Sequence, residues 1–404
     1  MSKKVMLVAL SIALVAALVG GATMAWFTDS DVSGPVEFAA GTLLVEANTS
    51  MIYGVEYKDP ENQPGTLYEI FVDKDSNIVT YTKLYDSNKK RLNALAFDRK
   101  NKKLYYADGN SNLYFYDFTD GVGDKSAGKI FEENTKLYNA VFGLGYYWFV
   151  KEGTDDLYKV SFNPDGTIDD VILAHENFTG EAEMQFGFGD LALDMKDGII
   201  YGSTAGTGSS GGEFFTYNVA TGEYEEVLGA DAVNLQLAFG ADGELYGTVT
   251  RDLEWYAVDV SSGDIERFYE CDKMFGDLAS NYQNNWNPGD SDILRYYVRN
   301  KGTKNQYVRV SVSGEWLEDL SSENVSFLLC GGVGNDWEYN NGYFYYKHIL
   351  EPGQEALLCV QVHLDGPGTD NDYKGQAFTV NAGVEAIQTT HDASQEVWSW
   401  SPSE

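Results

Sequence analysis

Between residues 51 and 270, hydrophobic and polar positions follow one repeated pattern. In each repeat an apolar strand and a polar turn lead to a Leu-Tyr-like pair, and a Gly- or Asp-rich turn leads to a second, aromatic strand. Helical periodicity is nearly absent, and the repeat length is typical of the four-stranded blades of a β-propeller. We therefore predict a small propeller of about five blades; the alternative is an irregular stack of β-hairpins that does not close. Five tyrosines, 42 to 54 residues apart, mark the repeats: Tyr53, Tyr105, Tyr147, Tyr201 and Tyr246.

The segments on either side of this repeat, 26–50 and 271–404, contain alternating strands without the repeat. Residues 355–364 and 376–388 alternate as half-buried strands do, and Pro-Gly and Asn-Gly turns separate such stretches. We predict that the two flanks form one discontinuous β-sandwich and that 51–270 is an insertion in it. Such an insertion costs little, because the chain ends of a propeller lie close together and the free energy of loop closure grows slowly with length.

The N-terminus has the pattern of a secretory signal peptide. Two lysines precede an apolar run at residues 5–19, and small residues follow as far as Ala25. We predict that signal peptidase cuts between Ala25 and Trp26, removes residues 1–25 and releases a secreted protein without a stable membrane span. The alternative is an uncleaved anchor, although the apolar run is shorter than the roughly 20 residues of a membrane span.

The charge of the chain excludes some classes of partner. It has 62 acidic and 28 basic side chains, and its net charge is −34. Phosphate backbones and anionic lipids would be repelled, so we predict no binding to nucleic acid. A hydrophobic content of 43% and an aromatic content of 14% exclude a disordered acidic tail.

Two of the three cysteines are candidates for a disulfide. Cys330 and Cys359 fall in the same predicted domain and could form a disulfide in an oxidising medium, which would leave Cys271 free. No cysteine and histidine spacing resembles a zinc site.

Sequence motifs for catalysis are absent. None of the four histidines lies in an HExxH motif, and there is no GxSxG motif and no P-loop. We therefore predict no enzymatic activity, no catalytic residue, no metal ligand and no cofactor. Loop 365–372 has enough oxygen atoms for calcium but lacks the spacing of a calcium-binding loop, so we interpret it as a solvated acidic turn. Calcium binding is the alternative. The histidines are His175, His348, His363 and His391.

Several short motifs, taken in order, resemble the TasA/camelysin family of secreted proteins, which are processed by a SipW-type signal peptidase. They lie at residues 19–29, 38–43, 287–302, 307–310, 341–353 and 373–388. The resemblance implies a jelly-roll-like β-sandwich and a place in extracellular matrix fibres. It also raises the question of protease activity, because the camelysin branch is classed as a metalloendopeptidase. The inserted repeat departs from the pattern of the family.

The resemblance also gives a role to the mature N-terminus. In the resembled family such an arm completes the sandwich of the next subunit by β-strand addition, and this head-to-tail contact builds a filament. The alternative is that the arm folds back as an edge strand of its own domain. The apolar residues of the arm are Trp26, Phe27, Val32, Val36 and Phe38.

We therefore expect a secreted structural subunit or accessory component of an extracellular matrix (biofilm) fibre. It would polymerise with itself or join another matrix fibre protein, and would display the propeller as an interaction module. One alternative is a surface adhesin or a glycan- or protein-binding protein that acts through the propeller. A second alternative is a camelysin-like metalloendopeptidase.

Overall fold

The computed structural model describes the chain in separate stretches whose regular structure is almost entirely β. Apart from one short α-helix and two 3-10 turns, the regular elements of these stretches are strands. The prediction of an all-β fold is thus confirmed. The described residues are 28–31, 45–49, 52–58, 63–133, 135–179, 189–204, 213–227, 234–240, 242–250, 252–282, 286–316, 320–330, 336–369, 371–373, 376 and 378–402.

The chain divides into two compact units. The larger, here called the five-sheet unit, comprises Thr49–Leu294 and Gln361–Thr369. The smaller, here called the two-sheet unit, comprises Met1–Asn48, Arg295–Val360 and Asp370–Glu404. In the sequence, the larger unit therefore interrupts the smaller one.

Five antiparallel sheets of four strands each form the larger unit. In order of pairing, the first sheet contains β22 (Phe275–Ser280), β3 (Ile52–Glu56), β4 (Pro64–Asp73) and β5 (Ile78–Lys90). The second contains β6 (Asn93–Asp98), β7 (Lys103–Ala107), β8 (Asn112–Asp117) and β9 (Val122–Lys129), and the third β10 (Val141–Gly143), β11 (Tyr146–Val150), β12 (Leu157–Phe162) and β13 (Ile168–His175). The fourth contains β14 (Gly189–Asp194), β15 (Ile199–Thr204), β16 (Glu213–Asn218) and β17 (Tyr224–Glu226), and the fifth β18 (Leu235–Phe239), β19 (Leu245–Val249), β20 (Glu254–Val258) and β21 (Ile265–Glu270).

Two further sheets combine strands from both ends of the chain. The first pairs, in order, β1 (Thr28–Asp31), β29 (Phe378–Gln388), β24 (Gln306–Trp316), β27 (Tyr343–Tyr346) and β26 (Trp337–Asn340). The second, which lies mostly in the two-sheet unit, pairs β2 (Val45–Thr49), β23 (Ser291–Asn300), β28 (Glu355–Leu364) and β25 (Val325–Leu329). The other elements are α1 (Ala393–Trp398) and 3-10 turns at Ser322–Asn324 and Asn371–Tyr373.

Each sequence repeat corresponds to one sheet of the five-sheet unit. The five marker tyrosines all lie on the second strand of a sheet, and four of them face an alanine on the first strand. We call the first strand of each sheet its inner strand. A small side chain leaves room where inner strands approach each other. The facing alanines are Ala279, Ala96, Ala192 and Ala238.

The inner strands contact one another in a cycle: β22 with β6, β6 with β10, β10 with β14, β14 with β18, and β18 again with β22. A five-bladed β-propeller has this cyclic order. The cycle closes in the first sheet, where β22 pairs with β3 although more than 200 residues separate them in the chain. Strand β22 lies beyond the boundary predicted at residue 270, so the repeated region uses a strand that sequence analysis assigned to the sandwich.

Aromatic side chains fill the space between neighbouring sheets. The ring of Tyr105 stacks on that of Phe162 with 4.1 Å between centroids. The hydroxyl of Tyr147 donates a hydrogen bond of 2.7 Å to the carbonyl oxygen of Ala94 in the next sheet. At Gly202 an added Cβ would lie 2.0 Å from Phe215, so only glycine fits below that ring. The repeated aromatics are thus largely core residues.

Candidate functional site

Part of the predicted N-terminal arm pairs within its own chain. Strand β1 lies antiparallel to β29 at the edge of the five-stranded sheet, with Thr28 opposite Ile387 and Asp31 opposite Val384. This pairing is the one expected if the arm folds back. The predicted cleavage site, Ala25 and Trp26, lies outside the described residues, as do the side chains of Phe27, Val32, Val36 and Phe38.

The cysteines are placed as the sequence suggested. Cys330 and Cys359 form a disulfide with 5.4 Å between their Cα atoms. The backbone N–H of Cys330 also donates to the carbonyl oxygen of Cys359 over 3.0 Å, so the bond joins neighbouring strands. Cys271 is buried and free, and its Sγ lies 2.7 Å from the carbonyl oxygen of Lys273.

Three of the four histidines have a local hydrogen-bond partner. A ring nitrogen lies 3.0 Å from the Tyr217 hydroxyl in His175, 3.1 Å from an Asp336 carboxylate oxygen in His348, and 2.8 Å from Ser291 Oγ in His363. In the stretches that the structure describes, no three His, Cys, Asp or Glu side chains come together as metal ligands would. Within the same stretches, no helix has the length and apolar character needed to cross a membrane.

The five-sheet unit contains a cavity of about 400 Å³. Its floor is formed where inner strands begin, by residues such as Asn93, Gly189, Gln236 and Gly276. Its walls come from loops that lead into inner strands or join the second and third strands of a sheet. The volume is in the range of small-molecule sites in proteins, about 300 to 1,000 Å³.

Three of the described side chains that line the cavity are cationic. Nζ of Lys58 donates to the Thr66 hydroxyl over 2.8 Å and lies 3.7 Å from a carboxylate oxygen of Glu56. Nζ of Lys136 donates to the Tyr138 hydroxyl over 2.9 Å, and this hydrogen bond raises the pKa of Lys136.

Arg91 is the third cation and is exposed. The positive charge of Arg91 partly offsets the rise in the pKa of Lys136, because the two side chains lie near each other. Its stem packs against Gly109, where an added Cβ would lie 3.3 Å from the Arg91 Cδ. Among the described residues, Arg91 has no ion pair and no hydrogen-bond partner.

Carboxamide groups lie at the floor. The side chain of Gln236 is 3% exposed, and its Oε1 has no hydrogen-bond partner among the described residues. The Oδ1 of Asn234 is also buried without a described partner. A buried acceptor without a donor costs about 1 to 3 kcal/mol, so a ligand that donates hydrogen bonds at this depth would recover free energy.

Two carboxyl groups are buried next to this floor. Asp190 and Asp277 are both 0% exposed, and each follows a glycine that lines the cavity. Asp277 accepts hydrogen bonds from the backbone N–H groups of Leu95 and Leu278, over 2.6 and 3.0 Å. One of these donors belongs to the inner strand of the neighbouring sheet, so the carboxyl group joins two sheets.

Asp190 makes the equivalent contacts. It accepts from Leu191 over 2.7 Å and from Leu237, on the next inner strand, over 2.9 Å. The carboxyl groups of Asp190 and Asp277 are hydrogen-bonded to each other, and burial raises the pKa of both well above the usual range. A direct carboxyl–carboxyl hydrogen bond requires that the pair share a proton.

Sequence reasoning missed both the cavity and the carboxyl pair. A signal for the pair exists, since Gly-Asp-Leu-Ala occurs twice, at 189–192 and 276–279. The first copy begins the inner strand β14, and the second copy lies within the inner strand β22. The cavity has no comparable signal, because its lining comes from short segments far apart in the sequence.

Comparison with known proteins gives one family match. The family model described as "Camelysin metallo-endopeptidase" matches residues 1–66, and the resemblance to the TasA/camelysin family is confirmed there. Among curated proteins, no match was found. A chain from a crystal structure of a nidogen/laminin complex matches with a TM-score of 0.37 and 11% identity, over 60% of this chain and 100% of that one.

Proposed function

Because the camelysin model matches residues 1–66, we propose that this chain is a secreted component of an extracellular matrix fibre, such as a biofilm fibre. Signal peptidase removes residues 1–25, and the mature chain polymerises with itself or joins another matrix fibre protein. The five-sheet unit is a five-bladed β-propeller that serves as a displayed interaction module. This role needs no cofactor, nucleic acid or membrane span.

The observation that carries the proposal is the edge position of β1. This strand comes from the N-terminal segment that matches the family, and among the described strands it pairs on one side only, with β29. A short edge strand can leave its sheet at the cost of a single row of backbone hydrogen bonds.

Assembly then proceeds by exchange of identical contacts. The β1 strand of one chain leaves its own sheet and pairs with β29 of the next chain, and the apolar residues around it, from Trp26 to Phe38, pack on that neighbour. Because the same backbone bonds form in the exchanged state, the free-energy difference between the folded-back and exchanged arms is small. A head-to-tail contact of this kind does not close on itself, so it produces a filament.

A disulfide that locks β1 in place tests this mechanism. Ser30 and Glu385 lie directly opposite each other in the β1 and β29 pair, at a separation that a disulfide can bridge. We expect the oxidised Ser30→Cys/Glu385→Cys variant to form no filaments in negative-stain electron microscopy. Reduction should restore assembly.

Three controls accompany this variant. The single variant Glu385→Cys reports the effect of losing the Glu385 side chain, and the wild type under the same reductant reports the effect of opening Cys330–Cys359. Deletion of residues 26–35 should abolish filaments under all conditions. Filaments of normal length from the oxidised double variant would refute strand exchange, and a wild type that assembles only with another matrix protein would identify an accessory component.

A second candidate function is supported by the cavity. A surface adhesin or a glycan- or protein-binding protein would use this site without polymerising. Retention of the chain on matrix polysaccharide, together with the absence of filaments under all conditions, would favour this alternative. The second alternative, a camelysin-like metalloendopeptidase, is supported by the description of the matched family model; the described residues contain no cluster of metal ligands.

A further inference from the structure

The cavity differs in charge from the chain that contains it. Acidic residues outnumber basic ones by 62 to 28 in the chain, yet among the described residues that line the cavity Lys58, Arg91 and Lys136 are basic and only Glu56 is acidic. Glu56 is already neutralised by ion pairs with Lys58, at 3.7 Å, and with Lys273, at 3.3 Å. Glu152 acts on Lys136 and helps to raise its pKa. Among the described lining residues positive charge still exceeds negative charge, and Arg91 is the cation left for an anionic ligand.

The floor of the cavity presents hydrogen-bond acceptors and not positive charge. The Oε1 of Gln236 and the Oδ1 of Asn234 are acceptors without a described donor, and Gln236 is 3% exposed. A carboxylate or a phosphate dianion has no proton to donate to these oxygens. The group that reaches the floor must carry hydroxyl or N–H donors.

A ligand that satisfies both parts carries an anionic group and several donors on a compact body. We propose that the cavity binds a hydroxylated carboxylate, such as the uronate unit of an acidic polysaccharide; this proposal rests on the function of the five-sheet unit as an interaction module. The carboxylate lies among the cationic side chains, with Arg91 as its main partner. The hydroxyl groups donate to Gln236 and Asn234.

The shape of the site favours a sugar ring over an acidic peptide. The cavity has a floor of strand ends and walls of loops, and its volume of about 400 Å³ suits one or two pyranose rings. Tyr57 and Tyr138 line the same cavity, and tyrosine can contact the apolar face of a sugar ring as well as form a hydrogen bond. An extended peptide would instead pair along the length of a sheet edge, whereas each described inner strand at the floor contributes one residue near its start.

Isothermal titration calorimetry on the mature chain tests the proposal. The probes are D-glucuronate, a galacturonate tetramer, D-glucose and a short Glu-rich peptide. We expect both uronates to bind, D-glucose to bind at least about tenfold more weakly because it lacks the carboxylate, and the peptide to show no binding. Tighter binding of the tetramer than of the monomer identifies a polymer as the source of the ligand, and the reverse order identifies a free sugar acid.

Two variants locate the two halves of the site. Arg91→Gln removes the exposed cation, and Gln236→Met removes the buried amide at similar length. Each should weaken uronate binding by about tenfold. Lys100→Gln is the matched control, because it removes one positive charge in the turn after β6, at the opposite end of that strand from Asn93 and the cavity.

The titrations test the uronate site independently of fibre formation. Uronate affinity that Arg91→Gln leaves unchanged, equal binding of D-glucose and D-glucuronate, or binding of the peptide alone would each overturn the assignment. Since Arg91 is exposed, the folding of that variant is not in doubt, and it can be verified by thermal melting. The titrations use unpolymerised chain, so they can fail while filaments form, and can succeed while filaments do not.

Discussion

The buried pair of Asp190 and Asp277 predicts that part of the stability of the chain decreases as the pH rises. In the unfolded chain both carboxyl groups ionise near pH 4. In the folded chain burial raises the pKa of both groups, so the pair keeps a proton to higher pH. Above about pH 4 the folded state therefore binds more protons than the unfolded state, and the free energy of unfolding decreases with rising pH.

The size of the effect follows from the contacts of the pair. Four hydrogen bonds from backbone N–H groups stabilise negative charge on the two carboxyl groups, so one of them can ionise while the other keeps the shared proton. One retained proton changes the free energy of unfolding by about 1.4 kcal/mol per pH unit.

The perturbation that isolates this effect is Asp277→Asn. The amide keeps one acceptor oxygen but turns its NH2 group toward one of the two donors, Leu95 or Leu278. At low pH this mismatch should cost about 1 to 3 kcal/mol. The variant also removes one of the two interacting acids, so its stability should fall less steeply with pH. As the pH rises, the difference in the free energy of unfolding between wild type and variant should thus decrease by up to about 1.4 kcal/mol per pH unit.

Urea denaturation followed by tryptophan fluorescence at pH 5, 6, 7 and 8 measures this difference. This range stays above the sequence isoelectric point of about 4.3, where the chain would precipitate. Asp75→Asn, at an exposed turn position, makes the same change in net charge and controls for general charge repulsion. If the free energies of unfolding of wild type and Asp277→Asn differ by the same amount at all four pH values, the shared proton is refuted.

Two further predictions concern stability. Gly202→Ala should lower the free energy of unfolding by about 1 to 3 kcal/mol, measured by thermal melting, because its Cβ would lie 2.0 Å from Phe215. Gly276→Ala is the control, because its Cβ would lie 3.6 Å from Tyr57, and it should change the free energy of unfolding little. Equal losses of stability in the two variants would contradict the packing argument. Replacement of Cys330 and Cys359 by alanine opens a disulfide with a sequence separation of 29 and should cost about 3 to 4 kcal/mol in urea denaturation; an unchanged midpoint would show that the bond does not constrain the unfolded chain.

Local sequence patterns were sufficient to find most of the β-structure. Each marker tyrosine indicated the second strand of one sheet, because an aromatic residue between two turn signals is a local feature that does not depend on distant partners. The pairing of β22 with β3 was missed, since it joins segments more than 200 residues apart. The repeated Gly-Asp-Leu-Ala at 276–279 marks β22 as an inner strand, but only once the equivalent strand at 189–192 is known.

The candidate site was much harder to predict. Arg91, Lys136 and Gln236 stand in unrelated sequence contexts, and an isolated lysine or arginine in an acidic chain normally indicates a solvated surface. Their common cavity depends on how sheets from distant segments are arranged. The same holds for the shared proton of Asp190 and Asp277, which needs two carboxyl groups to approach each other, whereas sequence shows only that each follows a glycine.

The pairing of β22 with β3 also affects how the chain can be made. The ribosome produces β3, β4 and β5 early, but their sheet lacks its inner strand until Phe275–Ser280 has been synthesised. Strand β1 waits even longer, because its partner β29 begins at Phe378. Neither set of sheets is complete until these late strands have been synthesised, and pairings this distant in sequence form slowly. For the export proposed above, this late pairing would keep the chain unfolded while it passes through an export channel.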